Sequence, residues 1–371
     1  MGDYGPSAVG SFDTDRDLRP HICSNEEVAA KGASRVVHLE SYELQEGNRM
    51  KQNGLYLGID YGGNSVKAGL FDSIGTMHGK TSWPTVPLTD LGECQRFAEG
   101  VAEFVRSLGL CASDVSGVGL AMPGMIAESS YFCPNVSVDV EVLAECLSET
   151  FSSTSVSIIN DANAAAFGEM WKGAGIEAGT ALLATLGSGL GSGIIVNGNV
   201  VTGAHGAAGE LGHVTVEPDG RLCSCGRKGC AERYASARGL VQTFTEATDD
   251  AGLDASLFSE FEPASATDAL PVFKAYEVGD PRAVRAIEVM VDKLAFAIAQ
   301  VACIVDPEII ILGGGVSGGS KYFIEDLRSA FRSYCLPACS STEIRVAVLG
   351  NDAGMYGAAR YAMQSANEKE C

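Results

Sequence analysis

Leu55-Tyr-Leu-Gly-Ile59 is typical of a β-strand, and Asp60-Tyr-Gly-Gly-Asn-Ser65 after it is typical of a tight turn. Two further strand patterns follow at Val66–Phe71 and Thr76–Ser82. The same order of strand, glycine turn, strand, turn and strand returns over residues 180–202. Repetition of a unit at this distance indicates two duplicated lobes.

The rest of the chain alternates between helix and strand patterns. Between the two copies, the apolar pattern predicts helices at Leu91–Leu108, Val138–Phe151 and Ala162–Lys172 and strands at Val115–Ala121 and Val156–Ile159. After them it predicts helices at Ala235–Ala247, Ala269–Val278, Pro281–Val305, Tyr322–Tyr334 and Ala353–Gln364 and strands at Glu308–Leu312 and Glu343–Leu349. Each half then has the order βββαβα with insertions. We therefore predict an α/β fold, the duplicated actin-like, ribonuclease H-like arrangement with a cleft between two lobes.

The domain boundaries follow from this pattern. We place the N-terminal lobe at residues 54–173 and the larger C-terminal lobe at 174–364, with the option that the C-terminal helix packs back on the N-terminal lobe. Residues 1–53 show no sustained helical or strand period and contain nine acids against six bases. We expect them to form an acidic, largely disordered tail.

Composition limits the possible partners. The chain has 371 residues, is 46% hydrophobic and carries a formal net charge of −21. This charge opposes binding to a phosphate backbone, so we expect no nucleic acid partner. The sequence contains no run of about 18 apolar residues, so it predicts no membrane span. With 12 cysteines and no apolar leader, we expect a reducing, cytoplasmic location. We also expect a homo-oligomer, a dimer or a tetramer.

Three glycine-rich turns are candidates for nucleotide binding. They are Asp60 to Lys67 with Gly62, Gly63 and Asn64, then Gly187-Ser188-Gly189, and finally Gly313-Gly314-Gly315. Glycine leaves backbone N–H groups open to phosphate oxygens. An ordinary hairpin turn is the alternative for each of the first two. The third fits GxGxxG nominally, but too little chain follows it for a complete dinucleotide-binding domain.

Asn160-Asp161 is the candidate for chemistry. The pair follows the apolar strand at Val156–Ile159 and precedes a helix, at the edge where open α/β sheets hold their ligands. There a carboxylate can accept a proton from an attacking hydroxyl group while Asn160 fixes the hydroxyl pair. The alternative is that Asp161 only caps the helix.

A short window rich in glycine is a candidate metal centre. It holds His213, Cys223, Cys225 and Cys230, with Glu210 and Glu232 on either side (zinc segment, residues 205–233). Three thiolates and one imidazole complete a closed tetrahedral zinc shell. The alternative is an accidental cluster of small buried cysteines. A bound structural zinc would also hold the two carboxylates in place.

The motifs GELGH and CxCGxxGCxE, with NDAN and GSGLGSG in order before them, resemble the ROK family (repressor, open reading frame, kinase) over residues 55–364. The resemblance implies an ATP-dependent hexose kinase with Asp161 as catalytic base and Asp60 orienting the Mg²⁺ of the nucleotide. It assigns the Gly313 turn to the adenosine. It places the sugar hydroxyls against Asn160, Asp161, Glu210, His213 and Glu232.

Sugar identity is less constrained than reaction type. Met122-Pro123-Gly124-Met125 and Pro134-Asn135 resemble the family's sugar-contacting loops, yet the chain lacks the large apolar residue often found after Asn135. We predict a glucokinase, with an N-acetylhexosamine kinase as the nearest rival and polyphosphate as a possible replacement for ATP. A sugar-responsive regulator of the same family would need a basic helix-turn-helix, which residues 1–53 do not suggest.

Overall fold

The computed structural model describes residues 54–127, 130–132, 136–152, 154–250 and 261–369. Two features predicted above, the tail at 1–53 and the sugar contact of Asn135, lie outside the described residues. The strands are β1 Leu55–Tyr61, β2 Ser65–Asp72, β3 Met77–Pro84, β4 Val115–Met122, β5 Met125–Ala127, β6 Ser130–Phe132, β7 Val156–Asn160, β8 Ala181–Leu186, β9 Leu190–Val196, β10 Asn199–Val200, β11 Ile309–Gly313 and β12 Glu343–Val346. The helices are α1 Leu91–Ser107, α2 Val140–Thr150, α3 Asp161–Lys172, α4 Glu232–Ala235, α5 Ala237–Asp250, α6 Leu270–Glu277, α7 Pro281–Val305, α8 Ile324–Tyr334 and α9 Ala353–Lys369.

Two five-stranded sheets share one topology. The strand order is β3-β2-β1-β4-β7 in the first sheet and β10-β9-β8-β11-β12 in the second. In each sheet the three strands that come first in the chain pair antiparallel. The other two strands run parallel to the first of these three. The predicted duplication and the two-lobed actin-like α/β fold are confirmed.

Alternation along the strands of the first sheet directs its side chains to two separate cores. Leu57 and Leu70 join a buried cluster with helices α1 and α2. Tyr56 and Phe71, one position along each strand, join a second cluster with Met355 of α9. A strand places successive side chains on opposite faces, so helices cover both faces of this sheet. The C-terminal helix therefore packs on β1 and β4 of the first sheet.

The core of the second sheet is built around α7. This helix begins after Asp280, whose side chain accepts a hydrogen bond from the Arg282 N–H. Its apolar side buries Ile287, Met290 and Leu294 in one cluster with strands β8 and β11. Within the described residues, no helix has the length and apolar character needed to cross a membrane.

Helix α3 joins the two sheets. It follows β7 of the first sheet, contacts β8 and β9 of the second and packs along α9. The two helices are so close that a Cβ atom at Gly168 would lie 2.3 Å from the carbonyl oxygen of Ala353. At this crossing any larger residue would push the helices apart. Helix α3 therefore fixes its first residue, Asp161, relative to both sheets.

Several predicted elements differ from the observed ones, among them the helix predicted at Ala235–Ala247, which is divided into α4 and α5. The strand predicted at Glu343–Leu349 ends at Val346, because the N–H groups of Val348 and Leu349 donate to the Glu169 carboxylate instead. The helix predicted from Tyr322 begins at Ile324 and is preceded by a 3₁₀ segment at Gly315–Tyr322. Glycine is a poor α-helix former, which favours the short irregular turn there. The strand predicted at Val200–Thr202 is only Asn199–Val200.

Candidate functional site

Three parallel strands end at one edge of the first sheet and bring polar residues together there. Strand β1 pairs with β4 through Asp60 and Ala121, and β4 pairs with β7 through Met122 and Asn160. Gly124 follows in the turn after β4, with φ of 110°. The carboxyl edge of an open α/β sheet is its usual ligand site. Asp60, Gly124 and Asn160 therefore lie where the sequence predicts a site.

Asn160 is the cap of helix α3. Its Oδ1 accepts hydrogen bonds from the N–H groups of Ala162 and Asn163, both at 3.0 Å. Its Nδ2 donates to the Gly124 carbonyl oxygen at 2.8 Å and to Asp161 Oδ1 at 3.1 Å. Asp161 Oδ1 also accepts from the Ala162 N–H at 2.9 Å, so its role as a base rather than a helix-capping group stays a prediction. Asp161 is the first helical residue, and Asn160 orients its carboxylate.

The two carboxyl groups at this edge have raised pKa values. Burial raises the pKa of Asp161 to about 6, and the nearby charges of Asp60 and Glu210 act in the same direction. Burial also raises the pKa of Asp60 to about 6; Lys67 lowers it and Asp352 raises it. Raised pKa values of this kind are common at functional sites. Both groups are predominantly ionised at pH 7, and both gain protons in mildly acidic solution.

The first glycine turn joins β1 to β2. The Gly62 N–H donates to the Ser65 carbonyl oxygen at 3.1 Å, and Thr85 Oγ1 donates to the Gly62 carbonyl oxygen at 2.6 Å. The Asn64 carbonyl oxygen accepts from the Thr85 N–H at 3.2 Å. A Cβ atom at Gly63 would meet no other atom within 4 Å. The backbone at Gly63 is therefore open to a ligand.

Lys67 lies beside Asp60, opposite it in the register of β1 and β2. Its Nζ donates to the carbonyl oxygen of Asn351 at 2.5 Å. Among the described residues, no hydrogen bond or ion pair joins Lys67 to the other glycine turns. Its predicted nucleotide contact stays a prediction.

The second and third glycine turns lie together at the edge of the second sheet. Gly313 ends β11 opposite Thr185 of β8, and a Cβ atom at Gly314 would lie only 2.6 Å from backbone atoms of Leu186. Gly314 also has φ of 82°, so both the contact and the conformation favour glycine. In the second turn, the Gly187 N–H donates to the Gly189 carbonyl oxygen at 3.0 Å. Ser188 of this turn and Gly315 of the third have the most open surroundings.

Glu232 of the zinc segment lies against the second turn. Its Oε2 accepts from the Leu190 N–H at 3.2 Å, and a Cβ atom at Gly189 would lie 2.3 Å from the same oxygen. A larger residue at position 189 would displace this carboxylate. The candidate metal segment and the candidate phosphate turn are therefore in direct contact, which the sequence spacing does not indicate.

Helix α3 brings the two edges next to each other. A Cβ atom at Gly191, at the start of β9, would lie 3.3 Å from the Cβ of Ala162. Glu210 is close enough to influence the pKa of Asp161. The loop that carries Glu210 is held to β9, since Ser192 Oγ accepts from the Leu211 N–H at 3.1 Å. Asp161, Glu210 and the second turn thus belong to one site.

The four predicted zinc ligands converge. The ligand atoms of His213, Cys223, Cys225 and Cys230 all lie within 4.8 Å of one another. The Cys225 and Cys230 sulfur atoms are 3.6 Å apart, and Cys223 Sγ is 3.7 Å from His213 Nδ1. A tetrahedral zinc with sulfur at about 2.3 Å needs ligand atoms about 3.8 Å apart. A disulfide would need about 2.05 Å. The donor set and its spacing therefore fit zinc.

The two ring nitrogens of His213 face different groups. Its Nδ1 faces the sulfur atoms, whereas its Nε2 lies 4.0 Å from Glu210 Oε2. Arg227 approaches the cluster from outside and donates to the His213 carbonyl oxygen at 2.5 Å. The Arg227 backbone N–H, followed by its side chain, lowers the pKa of Cys225 to about 6. At Cys225 this favours the thiolate form that binds metals, whereas burial and the neighbouring Cys225 and Cys223 thiols raise the pKa of Cys230 to about 12.

Three further residues near these elements were not among the predicted site residues. Asp352 accepts from Lys80 Nζ at 2.6 Å and contributes to the raised pKa of Asp60. Asn163 Oδ1 is buried and, within the described part of the chain, has no hydrogen-bond partner. Glu169 is fully buried. The position of Asn163 within the NDAN motif was visible in the sequence. The other two depend on contacts between distant segments.

Comparisons with known proteins bear on the family of this chain. A family model described as ROK family matches residues 56–365. Over 322 residues the chain is 36% identical to a glucokinase of Halalkalibacterium halodurans, covering 85% of this chain and 97% of that protein. It is 28% identical over 318 residues to an N-acetyl-D-glucosamine kinase of Salmonella gallinarum, covering 82% of this chain and 98% of the relative.

Solved structures give the same result. A ROK hexokinase from Thermus thermophilus matches with a TM-score of 0.73 and 30% identity, covering 85% of this chain and 99% of its own. A ROK family glucokinase from Streptomyces griseus, solved with glucose and AMPPNP, matches with a TM-score of 0.64 and 32% identity, covering 84% of this chain and 100% of its own. The chain belongs to the ROK family.

Proposed function

We propose that this protein is an ATP-dependent hexose kinase that transfers a phosphoryl group to the 6-hydroxyl of glucose. The observation that carries the proposal is the Asp161 carboxylate, which has a raised pKa, is oriented by Asn160 and is followed by Ala162, which packs near Gly191 just after the second glycine turn. Kinship with glucokinases supports the choice of glucose. Phosphoryl transfer depends mainly on positioning and charge neutralisation, and this arrangement is suited to both.

Asp161 is the proposed general base. With a pKa of about 6, its carboxylate is ionised at pH 7 and can accept a proton. The proton leaves the sugar hydroxyl as its oxygen bonds to the γ-phosphorus and the bond from that phosphorus to ADP breaks. A positioned base of this kind contributes roughly 10²–10⁴-fold in rate. Asn160 keeps the carboxylate in place throughout.

The three glycine turns are the proposed nucleotide site. The open backbone at Gly63 and the exposed Ser188 suit phosphate oxygens, and the Gly313–Gly315 turn suits the adenosine. A nucleotide-bound Mg²⁺ would neutralise phosphate charge. The Asp60 carboxylate would orient this ion. Closure of the two lobes would then exclude water from the site.

Zinc is the proposed structural metal of the sugar site. His213, Cys223, Cys225 and Cys230 would hold it, and a shell of four protein ligands leaves no position for catalysis. His213 Nε2 faces Glu210, so one ring can connect the metal to the sugar hydroxyls. Glu210 and Glu232 would accept further hydrogen bonds from the sugar.

An N-acetylhexosamine kinase is the second candidate, because the Salmonella N-acetyl-D-glucosamine kinase aligns over nearly its full length. A coupled assay with glucose, mannose, N-acetylglucosamine and N-acetylmannosamine separates the two. We expect the highest kcat/KM with glucose. A higher value with either N-acetylated sugar would transfer the assignment to the second candidate. Parallel assays with polyphosphate in place of ATP test the phosphoryl donor.

A further inference from the structure

Glu169 carries a carboxylate that is fully buried, on the last turns of helix α3. Its Oε2 accepts from the Ala174 N–H at 2.8 Å. Its Oε1 accepts from the Val348 N–H at 3.0 Å and from the Leu349 N–H at 2.7 Å. Within the described residues, no ion pair to this carboxylate is formed. Burying a charge is costly unless it is hydrogen-bonded, so these three N–H groups are what holds it.

The partners of Glu169 lie on the two segments that connect the sheets. Ala174 follows α3, where the chain passes from the first sheet to the second. Val348 and Leu349 follow β12, where the chain returns to α9 on the first sheet. Arg345 of β12 also donates to the Ala174 carbonyl oxygen at 3.0 Å. One carboxylate therefore joins the two segments, after α3 and after β12, through which the chain passes between the lobes. We call these segments the crossings.

Each crossing leads directly to a part of the candidate site. Helix α3 begins at Asp161, and eight residues of helix place Glu169 about 12 Å from it. The other crossing continues to Asn351 and Asp352, which accept hydrogen bonds from Lys67 and Lys80. Lys67 is the neighbour of Asp60 in the first sheet. A shift at Glu169 would therefore move the proposed base relative to the proposed nucleotide site.

We infer that Glu169 is a positioning residue that couples sugar binding to nucleotide binding by joining the two interlobe crossings. The inference rests on the function proposed above. Lobe closure needs a small number of positions that transmit the movement, and Glu169 makes the two crossings move as one. When nucleotide or sugar favours the closed arrangement, the other ligand then binds more tightly. Such coupling between sites is reciprocal.

Glu169→Gln tests the inference because it keeps the shape and replaces one oxygen with an NH₂ group. That group cannot accept a hydrogen bond, so at least one crossing loses a hydrogen bond, from Ala174 or from Leu349; Val348 N–H lies within reach of both oxygens. The Kd of glucose is measured with and without AMPPNP. In the wild type we expect the Kd of glucose without AMPPNP to be about 5-fold or more higher than the Kd with AMPPNP. In the variant we expect a ratio near one, with each Kd for a single ligand changed by less than about threefold.

Asp280→Asn is the matched control. Asp280 is also fully buried and hydrogen-bonded, but it caps α7 and pairs with Arg282, away from both crossings. A purely structural role for Glu169 predicts that both variants lower the Tm and leave the coupling ratio intact. That result, or a wild-type protein that binds both ligands without coupling, would overturn the inference.

Hydrogen exchange separates this inference from the proposed function, because it needs no ligand. In the free wild-type protein, the amides of Ala174, Val348 and Leu349 should exchange slowly. In Glu169→Gln, exchange should become about tenfold faster or more in at least one crossing. If the variant does not fold, the same amides are followed in the wild type, where both ligands together should slow them more than either alone. Equal slowing by one ligand and by both would contradict the inference, whereas absence of glucose binding contradicts the proposed function.

Discussion

Asn160 and Asp161 are consecutive, and Asn160 is the N-cap of the helix whose first residue is Asp161. This arrangement makes Asp161→Asn an informative substitution. An asparagine at 161 keeps the shape of the side chain and can still hydrogen-bond to sugar, but it cannot accept the proton. We expect kcat to fall by roughly 10²–10⁴-fold and the Kd of glucose to change by less than about fivefold. Steady-state kinetics and calorimetry measure the two quantities.

Asp139→Asn is the matched control for that substitution. Asp139 also lies at a helix start, where its side chain accepts from the Val142 N–H at 3.1 Å. Asparagine caps helices about as well as aspartate, so turnover and Tm should stay near wild-type values. If Asp161→Asn were equally silent, Asp161 would not be the base.

The raised pKa of Asp161 also predicts the pH dependence of the enzyme. The base must be ionised, so kcat/KM should fall as the pH decreases through about 6. Asp60 titrates in the same range, and protonation of both groups should make the loss steeper than for one proton. A rate that stays constant down to pH 5 would contradict the assignment.

The free energy of unfolding should also depend on the ionisation of Asp161. Ionisation that supports catalysis should lower the stability of the fold. Because the folded-state pKa is raised above 3.8, the contribution of Asp161 to folding is most favourable below that value and is lost as the pH rises through about 6. Asp161→Asn should therefore stabilise the fold at pH 8, by at most about 3 kcal/mol, and leave it nearly unchanged at pH 4. Thermal unfolding at the two pH values, with Asp139→Asn in parallel, checks this. A variant less stable than the wild type at pH 8 would indicate that the charge is not a cost to folding.

At the scale of elements, the zinc segment has little regular secondary structure of its own. Among the described residues it contains short turns, a 3₁₀ segment at Leu211–His213 and isolated bridges such as Thr215–Cys230. Metal binding to such a segment is coupled to its folding. Cys225→Ser should release the metal and weaken glucose binding by about tenfold or more, since ligand loss disorders Glu210 and His213. Nucleotide affinity should change less, although the contact of Glu232 with Gly189 makes some effect possible.

Cys303→Ser is the control for that experiment, because Cys303 is exposed and lies outside the cluster. Elemental analysis should show one zinc per chain in the wild type and in Cys303→Ser, and much less in Cys225→Ser. Active wild-type protein without bound metal would contradict the zinc assignment.

Elements with strong local patterns were predictable, and those decided by distant contacts were not. Helix α7 was predicted with its observed bounds, since Asp280 and Pro281 mark its start and the apolar pattern continues to Val305. Strand β12 was predicted too long because Val348 and Leu349 have apolar side chains. Their N–H groups bind Glu169, about 180 residues earlier in the chain, and no local pattern indicates that competition.

At the scale of the whole molecule, the duplicated sheet order was visible from two copies of one strand-turn-strand pattern. The motifs also singled out Asn160, Asp161 and the four candidate metal ligands, because each motif combines unusual residue types at short spacing. The contacts between segments distant in the chain were not visible in the sequence. The support of the second turn by Glu232 and the pairing of Lys67 with Asn351 arise only when the two sheets and α9 come together.

The positions of the predicted site residues also indicate that residues 1–52 can be removed without loss of activity. The first sheet begins at Leu55, and the family match begins at residue 56. Every predicted catalytic, nucleotide and metal residue lies beyond Asn53. Removal of residues 1–52 should therefore change kcat and both KM values by less than about twofold, because a terminal segment matters only where it packs or bonds. Kinetics, Tm and oligomeric state of the full chain and the truncated chain test this. A folded truncation with greatly reduced turnover would show that the N-terminal segment contributes to the site or to assembly.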